Sequence, residues 1–366
     1  MKIILTGGAS GGHIIPLIAV ARKIKEKAVD AEFMFLGPKD NFSKKFMEVE
    51  GITIKHAMSG KMRRYFSFLN FIDAFKIPIG IIQALWNLLW FMPDVIFSKG
   101  GCATLPVVIA GWIYRIPIMI HESDANPGMA NSILAKFADR VAVSYPSAQI
   151  YFPAEQVVIT GSPLRDDINK GDKENARKLF SLLESKKTIF VWGGSQGAKA
   201  INDKMLEVLP ELLKNYQVIH QTGENNFEEV KKRAGELGIK VGREGYHALP
   251  FIGEEIKDIL AVSDLVISRA GSSSISEIAA NGKPAIIIPL ENSANDHQRM
   301  NAYSIAKIGG CVVLEEANLG EHMLLAKINE IMNNEKLRNK LTENIKVFYH
   351  PDAASRIADG IIGMVK

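Results

Sequence analysis

Two short stretches decide the fold: LTGGASGGH, Leu5 to His13, and FVWGGSQGA, Phe190 to Ala198. Each carries an apolar, strand-length run into a glycine-rich turn and then into a helix-length stretch, which is the signature of a parallel βαβ unit. Outward from the first, strand-length runs at Ile3–Leu5, Glu32–Leu36, Ile52–Lys55, Asp94–Phe97, Pro117–Ile120 and Arg140–Val143 alternate with helical stretches such as Ile15–Lys27 and Ser43–Glu50. Outward from the second, the runs are Thr188–Trp192, Gln217–His220, Leu265–Ser268, Ala285–Ile288 and Cys311–Val313. The chain therefore reads as α/β, with two Rossmann-like, doubly wound parallel-sheet domains. The polar stretch RDDINKGDKENARK, Arg165–Lys178, reads as solvated, and the glycine and proline of GSPLR, Gly161–Arg165, punctuate the joint. Domains are expected at 1–163 and 164–350. Ligands of open parallel sheets sit beyond the carboxyl ends of the strands, so both glycine turns are expected to face a crevice.

Composition agrees with this reading. A chain of 366 residues is too long for one ordinary core. With 47% hydrophobic and 23% charged residues it is globular, which excludes disordered, collagen-like and coiled-coil classes. The formal charge of +4 argues against a nucleic-acid partner while leaving room for a local basic patch. Cys102 and Cys311 match no zinc or redox spacing and read as reduced thiols. The N-terminus, MKIILTGG, enters a glycine turn without the long apolar core of a signal peptide, so the chain is expected to stay inside the cell.

The chemistry-bearing motifs sit at the strand ends. Gly7 to His13 has no GxGxxG register, and although Gly7 and Gly12 have Walker spacing, His13 stands where a Walker loop needs lysine. What remains is either a plain βα turn or one whose glycines let backbone N–H groups approach an anion or a sugar. His13 is either structural or a group that accepts a proton near neutral pH. In HESDANPG, His121–Gly128, Glu122 and Asp124 either cap a turn or orient and deprotonate an acceptor hydroxyl. In SRAGSSSISE, Ser268–Glu277, Ser272 or Ser273 can cap a helix whose N–H groups meet a phosphate, and Glu277 either complements the helix dipole or accepts ribose hydroxyls. Three phosphate-type turns without a Walker or kinase lysine suggest a nucleotide whose phosphates leave intact, as in a nucleotide-sugar donor. No Asp-x-Asp occurs in the sequence, so helix ends and an arginine such as Arg165 are expected to meet the leaving charge without an obligatory metal or other cofactor.

Tyr65–Phe91 departs from this rhythm, with only Asp73 and Lys76 as charges. On a helix, Ile72, Phe75, Ile79, Ile82, Trp86 and Leu89 line one side while Ile77, Ile81, Leu85 and Leu88 cover another. The run from Ile77 to Pro93 is broken by Pro78, Gly80, Gln83 and Asn87 and falls short of a membrane span. It is either a very apolar core helix or a surface helix on anionic lipid, with Lys55, Lys61, Arg63 and Arg64 supplying the basic flank.

TGGASGGH, IHESDANPG, GSPLR, VWGGSQGA, PFIGEEI, SRAGSSSISEIAANGKPAIIIP and ANDHQRMNA occur in the order and spacing of the MurG family, which this chain resembles over nearly its whole length. The resemblance implies a GT-B fold, with the last helix, about Ala353–Met364 within 351–366, returning to the first domain. It implies an inverting transfer of GlcNAc from UDP-GlcNAc to the C4 hydroxyl of MurNAc in lipid I, giving lipid II and UDP in peptidoglycan synthesis. It also implies an N-terminal acceptor and membrane domain, and a C-terminal donor domain. Carried over by position, Ser10, Gly11 and Gly12 border the donor sugar and acceptor diphosphate. His13 is a candidate base beside Glu122 and Asp124, with Asn126 in the same substrate-binding loop. Arg165 and Ser195 match contacts to the donor diphosphate. Ile252 reads the uracil, Gly271, Ser272, Ser273 and Ser276 face phosphate, Glu277 binds ribose and Gln298 contacts GlcNAc hydroxyls. Phe75, Ile79, Ile82, Trp86 and Trp112 fall on the family's membrane-facing patch, implying peripheral attachment to the cytoplasmic face of the cell membrane. The implied partners are UDP-GlcNAc, lipid I, an anionic membrane surface and cell-wall synthesis enzymes. Departures from the family pattern are Cys102 for an aromatic residue, Asp124 for a common asparagine and Arg299 for a common second glutamine.

Rival readings share parts of this evidence. A diacylglycerol glycosyltransferase would keep the fold, the UDP site and the apolar patch, and a UDP-GlcNAc 2-epimerase would need no lipid. A dinucleotide oxidoreductase lacks its GxGxxG, and a non-catalytic scaffold would bind the nucleotide sugar without turnover.

Overall fold

Runs such as Ile3–Ile4–Leu5 and Ile189–Phe190–Val191 are inaccessible to solvent, as expected for strands covered on both faces by helices. In the computed structural model, which describes residues 1–60, 68–194 and 197–365 and only the backbone of 68–74, the chain divides into two units. Met1–Arg165 and His350–Lys366 make up the first, and Asp166–Tyr349 the second.

The first unit holds β1 (Lys2–Thr6), β2 (Glu32–Gly37), β3 (Thr53–His56), β4 (Val95–Ser98), β5 (Ile118–Glu122), β6 (Arg140–Val143) and β7 (Val157–Ile159). They form one sheet in the order β3-β2-β1-β4-β5-β6-β7, with every pairing parallel. The second holds β8 (Lys187–Trp192), β9 (Tyr216–Gln221), β10 (Tyr246–Leu249), β11 (Leu265–Ser268), β12 (Ala285–Ile287) and β13 (Val312–Val313). Its order is β10-β9-β8-β11-β12-β13, again all parallel. In both sheets the winding reverses beside the first strand, between β1 and β4 and between β8 and β11. Loops leaving two adjacent strands in opposite directions open a crevice there, where doubly wound sheets bind ligands.

The helix Ala353–Ile362 belongs to the first unit. It packs on the helix Gly11–Lys27, with Lys27 Nζ 2.5 Å from Asp359 and 2.7 Å from Ser355 Oγ. Ile357, Ala358 and Ile361 enter the same core as Ile3, Leu5, Leu17 and Ile24.

Three sequence expectations change. β7 and β10 were not expected. The first is a half-exposed edge strand of three residues, and the second, YHAL, mixes a histidine into a short run, so neither shows a clear period. Arg165–Lys178 is mostly exposed, as expected, but the helix Lys173–Phe180 that starts within it was not expected. Asp172 caps that helix by accepting the Glu174 N–H (2.8 Å), and Ala176 and Phe180 alone turn inward, too few to show a stripe.

The apolar segment forms the helix Phe68–Phe91, continuous through Pro78. Phe75, Ile79, Ile82, Trp86 and Leu89 are exposed, whereas Gly80, Ala84 and Leu88 are buried. Trp90 and Met92 are exposed too, as are Trp112 and Ile113 at the end of the helix Leu105–Ile113 that packs against it, and Tyr114 just beyond. The side chains of Ile72 and Asp73, and Lys61, Arg63, Arg64 and Tyr65, lie outside the described residues. Among the described residues no helix is long and apolar enough to cross a membrane.

Candidate functional site

In the first unit three loops meet at the winding reversal, those after β1, β4 and β5. Gly7 and Gly8 turn the chain, but Gly11 and Gly12, expected in the turn, begin the helix Gly11–Lys27. Ser10 is its N-cap, and its hydroxyl makes no capping bond. It lies 2.8 Å from His13 Nδ1 instead, which fixes the imidazole one turn along. A Cβ on Gly8 would stand 3.1 Å from that ring, and one on Gly101 would stand 3.3 Å from its Nε2, so the ring sits between the β1 and β4 loops.

The β4 loop supplies Lys99, which is only 4% exposed. Its Nζ donates to Ser123 Oγ in the β5 loop, and its charge is balanced by Glu122 and Asp124. Gly100 adopts φ 83°, and a Cβ there would fall 2.1 Å from Asn131 Oδ1, so no other residue fits. Asn131 joins the loops: its Oδ1 accepts the Gly101 N–H (3.3 Å) and its Nδ2 donates to Glu122 Oε2 (2.8 Å). Glu122 Oε1 accepts the Asp124 N–H (2.8 Å), and Oε2 also accepts the Gly128 N–H (3.3 Å). Glu122 is therefore the peg on which the loop 123–128 hangs.

Burial dominates the proton affinities. It lowers Lys99 to about 8 against the opposing pull of Glu122 and Asp124. It raises Glu122 to about 7, with Asp124 adding to the rise and the hydrogen bonds and Lys99 resisting it. Burial and then Lys99 lower His13 to about 4, so its imidazole is neutral at pH 7. His121 is likewise held neutral by burial and Lys99; its Nε2 donates to the Gly161 carbonyl (3.1 Å), a structural role at the joint.

In the second unit the turn after β8 depends on Gly197. It adopts φ 76°, and a Cβ would fall 2.1 Å from the Thr222 carbonyl oxygen. Ser268 Oγ donates to the Trp192 carbonyl (3.2 Å), tying β11 to β8 at the winding reversal. The helix Ser272–Ala280 then begins with Gly271 at its N-cap and has no side-chain cap. This corrects the expected capping by Ser272 or Ser273, both of which lie inside the helix. Without a competing cap, the positive end of the helix dipole is suited to an anion. Ser276 donates its hydroxyl to the Ser272 carbonyl (2.9 Å) and is buried, so its donor is already used. Glu277 follows, half-buried. After β12, Gln298 Oε1 accepts the Leu290 N–H (3.0 Å). Arg269 pairs with Glu316 and reaches the Ile288 and Pro289 carbonyls (3.4 Å each), bracing the ends of β11 and β12. Among the described residues no group of three or more His, Cys, Asp or Glu side chains is placed to hold a metal ion.

Residues 3–143 match the glycosyltransferase family 28 N-terminal domain, and residues 188–357 match its C-terminal domain. A Clostridium perfringens UDP-N-acetylglucosamine--N-acetylmuramyl-(pentapeptide) pyrophosphoryl-undecaprenol N-acetylglucosamine transferase is 40% identical over 365 residues, covering 100% of this chain and 96% of the relative. The chain belongs to the MurG family. A Bacillus cereus member with the same name, numbered 2, is 39% identical over 93% of this chain and 94% of its own. Among solved structures, Acinetobacter baumannii MurG superposes with a TM-score of 0.76 at 24% identity, covering 99% of each chain. A Neisseria meningitidis UDP-GlcNAc 2-epimerase bound to UDP-GlcNAc superposes at 0.72 with 12% identity, over 99% of this chain and 100% of that one, a likeness of fold alone. The two parallel-sheet units are those of the GT-B fold.

The residues carried over from the MurG family pattern fall into two sets. Ser10, Gly11, Gly12, His13, Glu122, Asp124 and Asn126 lie at strand ends of the first unit, the last two half-buried. Ile252, Gly271, Ser272, Ser273, Ser276, Glu277 and Gln298 lie beyond strand ends of the second, with Ile252 buried after β10. Arg165 is half-buried at the end of the first unit's main segment, away from both glycine turns in sequence. Ser195 lies outside the described residues. Sequence reasoning missed Lys99, Asn131 and Arg269. For Lys99 a signal was present in SKGGC, a lysine and paired glycines directly after a strand. Asn131 and Arg269 carry none, since their roles depend on loops distant in sequence.

Proposed function

We propose that the chain transfers GlcNAc from UDP-GlcNAc to the C4 hydroxyl of MurNAc in lipid I, with inversion, releasing UDP and forming lipid II. The observation that carries this reading is its 40% identity, over its whole length, to a relative named for that reaction. The loops at both winding reversals support it.

On this reading the second unit holds the donor. The uncapped start of Ser272–Ala280 faces the diphosphate, Glu277 accepts ribose hydroxyls, the Ile252 backbone reads uracil and Gln298 contacts the hexose. The first unit holds the acceptor. The transfer forms the bond from the acceptor oxygen to the anomeric carbon, breaks the bond to UDP and passes the hydroxyl proton to a base. His13 is neutral at pH 7 and held by Ser10, so it can take that proton. Glu122 is less suited, because both its oxygens already accept loop hydrogen bonds; Asp124 is the alternative base on the same loop.

The exposed row Phe75, Ile79, Ile82 and Trp86, with Trp112 nearby on the packed helix, fits peripheral attachment to an anionic membrane at its cytoplasmic face, where a lipid-linked acceptor resides. Cell-wall synthesis enzymes acting on the same lipid are the fitting protein partners.

Offering purified protein UDP-GlcNAc with lipid I, with diacylglycerol or with neither tests the reading. UDP release with lipid I alone is the expected result. Release with diacylglycerol alone, or epimerised nucleotide sugar without acceptor, would replace it with one of the rival activities.

A further inference from the structure

The turn that presents Gln298 is strained. Asn295 and Asp296 both adopt φ 55°, the left-handed region that costs non-glycine residues free energy unless the surroundings impose it. Local bonds hold it in part: the Asp296 N–H donates to the Ser293 carbonyl (3.0 Å) and the Gln298 N–H to Ser293 Oγ (3.2 Å). His297 Nδ1 also donates to the Ala294 carbonyl (2.5 Å), and a longer-range hold comes from Arg299. Its Nη1 lies 3.6 Å from Asp296 Oδ2, while its Nε and Nη2 fork onto Glu315 at 3.0 to 3.2 Å. Glu315 follows β13 and also accepts the Tyr303 hydroxyl (2.8 Å), so the chain Glu315–Arg299–Asp296 anchors the strained turn to the sheet. A planar guanidinium bound through two nitrogens fixes orientation as well as distance.

The amide of Gln298 is oriented by the same region. Because the Leu290 N–H is a donor, the atom facing it is Oε1, and the rest of the amide is an N–H₂ group that can only donate. A hexose meeting it must offer an acceptor oxygen in one position.

We propose that Arg299, braced by Glu315, is a positioning residue that makes the site selective for the hexose of the UDP-sugar by fixing the strained turn and thereby the Gln298 amide. This rests on the reading of Gln298 as a contact to the donor sugar. The Arg299 guanidinium is committed to Glu315 and Asp296 rather than held out to substrate.

The test uses the full chain with R299Q, E315Q and the double variant, measuring KM for UDP-GlcNAc, preference for UDP-GlcNAc over its C4 epimer UDP-GalNAc, and Kd for UDP. R299Q is expected to raise KM about tenfold and to shrink the preference by a similar factor, as for loss of one well-placed hydrogen bond. UDP affinity should stay within about twofold, because uracil, ribose and diphosphate bind elsewhere. Adding E315Q should change little further, since the two residues act as one unit. Unchanged KM and preference in R299Q would overturn the inference, as would an equal loss of UDP affinity, which would mean general damage to the donor site. R299K keeps the charge without the fork and is the check should R299Q fold poorly; wild-type selectivity in R299K would also count against the inference. Failure of the wild-type protein to use UDP-GlcNAc would instead sink the underlying reading.

Discussion

Lys99 carries the positive charge that lets two carboxylates share the end of β5. Glu122 is buried, and Asp124 adjoins it on the same loop; Lys99 lies buried against both. Removing one partner of such a group leaves an uncompensated charge, so K99M is expected to destabilise the first unit by about 3 kcal/mol. Denaturant unfolding of K99M, E122Q and the double variant would check this. The double variant should be less damaged than the two single losses summed. K99M should also shift the acid limb of kcat/KM to higher pH, since a neighbouring cation disfavours imidazolium on His13. His13→Ala is expected to lower kcat at saturating acceptor by about 10²-fold or more, the usual effect of losing a general base. Retention of most of the kcat would pass the role to Asp124. At this scale the sequence was only partly legible. His13, Glu122 and Asp124 stand in recognisable motifs, but that Glu122 is a loop peg depends on Asn131 and Gly128 folding back onto it, which no local pattern reveals.

Helices and strands were more legible, because burial on both faces of a parallel sheet writes itself into continuous apolar runs. β6 and β11 fall on the residues expected, and the errors lie at β7 and β10, where edge position or a buried histidine weakens the run. The helix Phe68–Phe91 was ambiguous for a physical reason: it is apolar on the face that packs and on the face that does not. The exposed row makes a testable element. Replacing Ile82 and Trp86 together by glutamate is expected to reduce binding to vesicles containing phosphatidylglycerol while leaving the melting temperature nearly unchanged, since both side chains are already in solvent. Vesicle sedimentation would measure it, and unaltered binding would remove this face from the account. The turn after β8 gives the opposite case. Gly197→Ala adds strain at φ 76° and a clash with the Thr222 carbonyl, so a loss of about 2 kcal/mol or more from the second unit is expected in thermal unfolding.

For the whole molecule, the two units repeat one winding order on different sequences, and each keeps its own core. Both hold histidines that burial keeps neutral, His13 and His121 in the first and His220 in the second, so acid should weaken each. In the second unit His220 is fully buried and held neutral: its Nε2 donates to Asn202 Oδ1 (2.9 Å) and its Nδ1 accepts from the Tyr246 hydroxyl (3.0 Å). Burial lowers it to about 3, so between about 6.5 and 3 the unfolded chain binds a proton that the folded one refuses. Stability of this unit should therefore fall as pH drops through that window, by at most about 1.4 kcal/mol per pH unit from this group. A His220→Gln variant, whose amide can both accept and donate, should show a shallower acid slope in pH-dependent denaturation.

The central claim concerns chemistry at the strand ends of these two units. It is tested most directly by incubating the purified, EDTA-stripped protein with labelled UDP-GlcNAc and lipid I and identifying the labelled lipid by mass. The account predicts lipid II with the sugar joined to the C4 oxygen, formed without added divalent ion. Label confined to nucleotide, or a product that forms only when magnesium or manganese is restored, would contradict it.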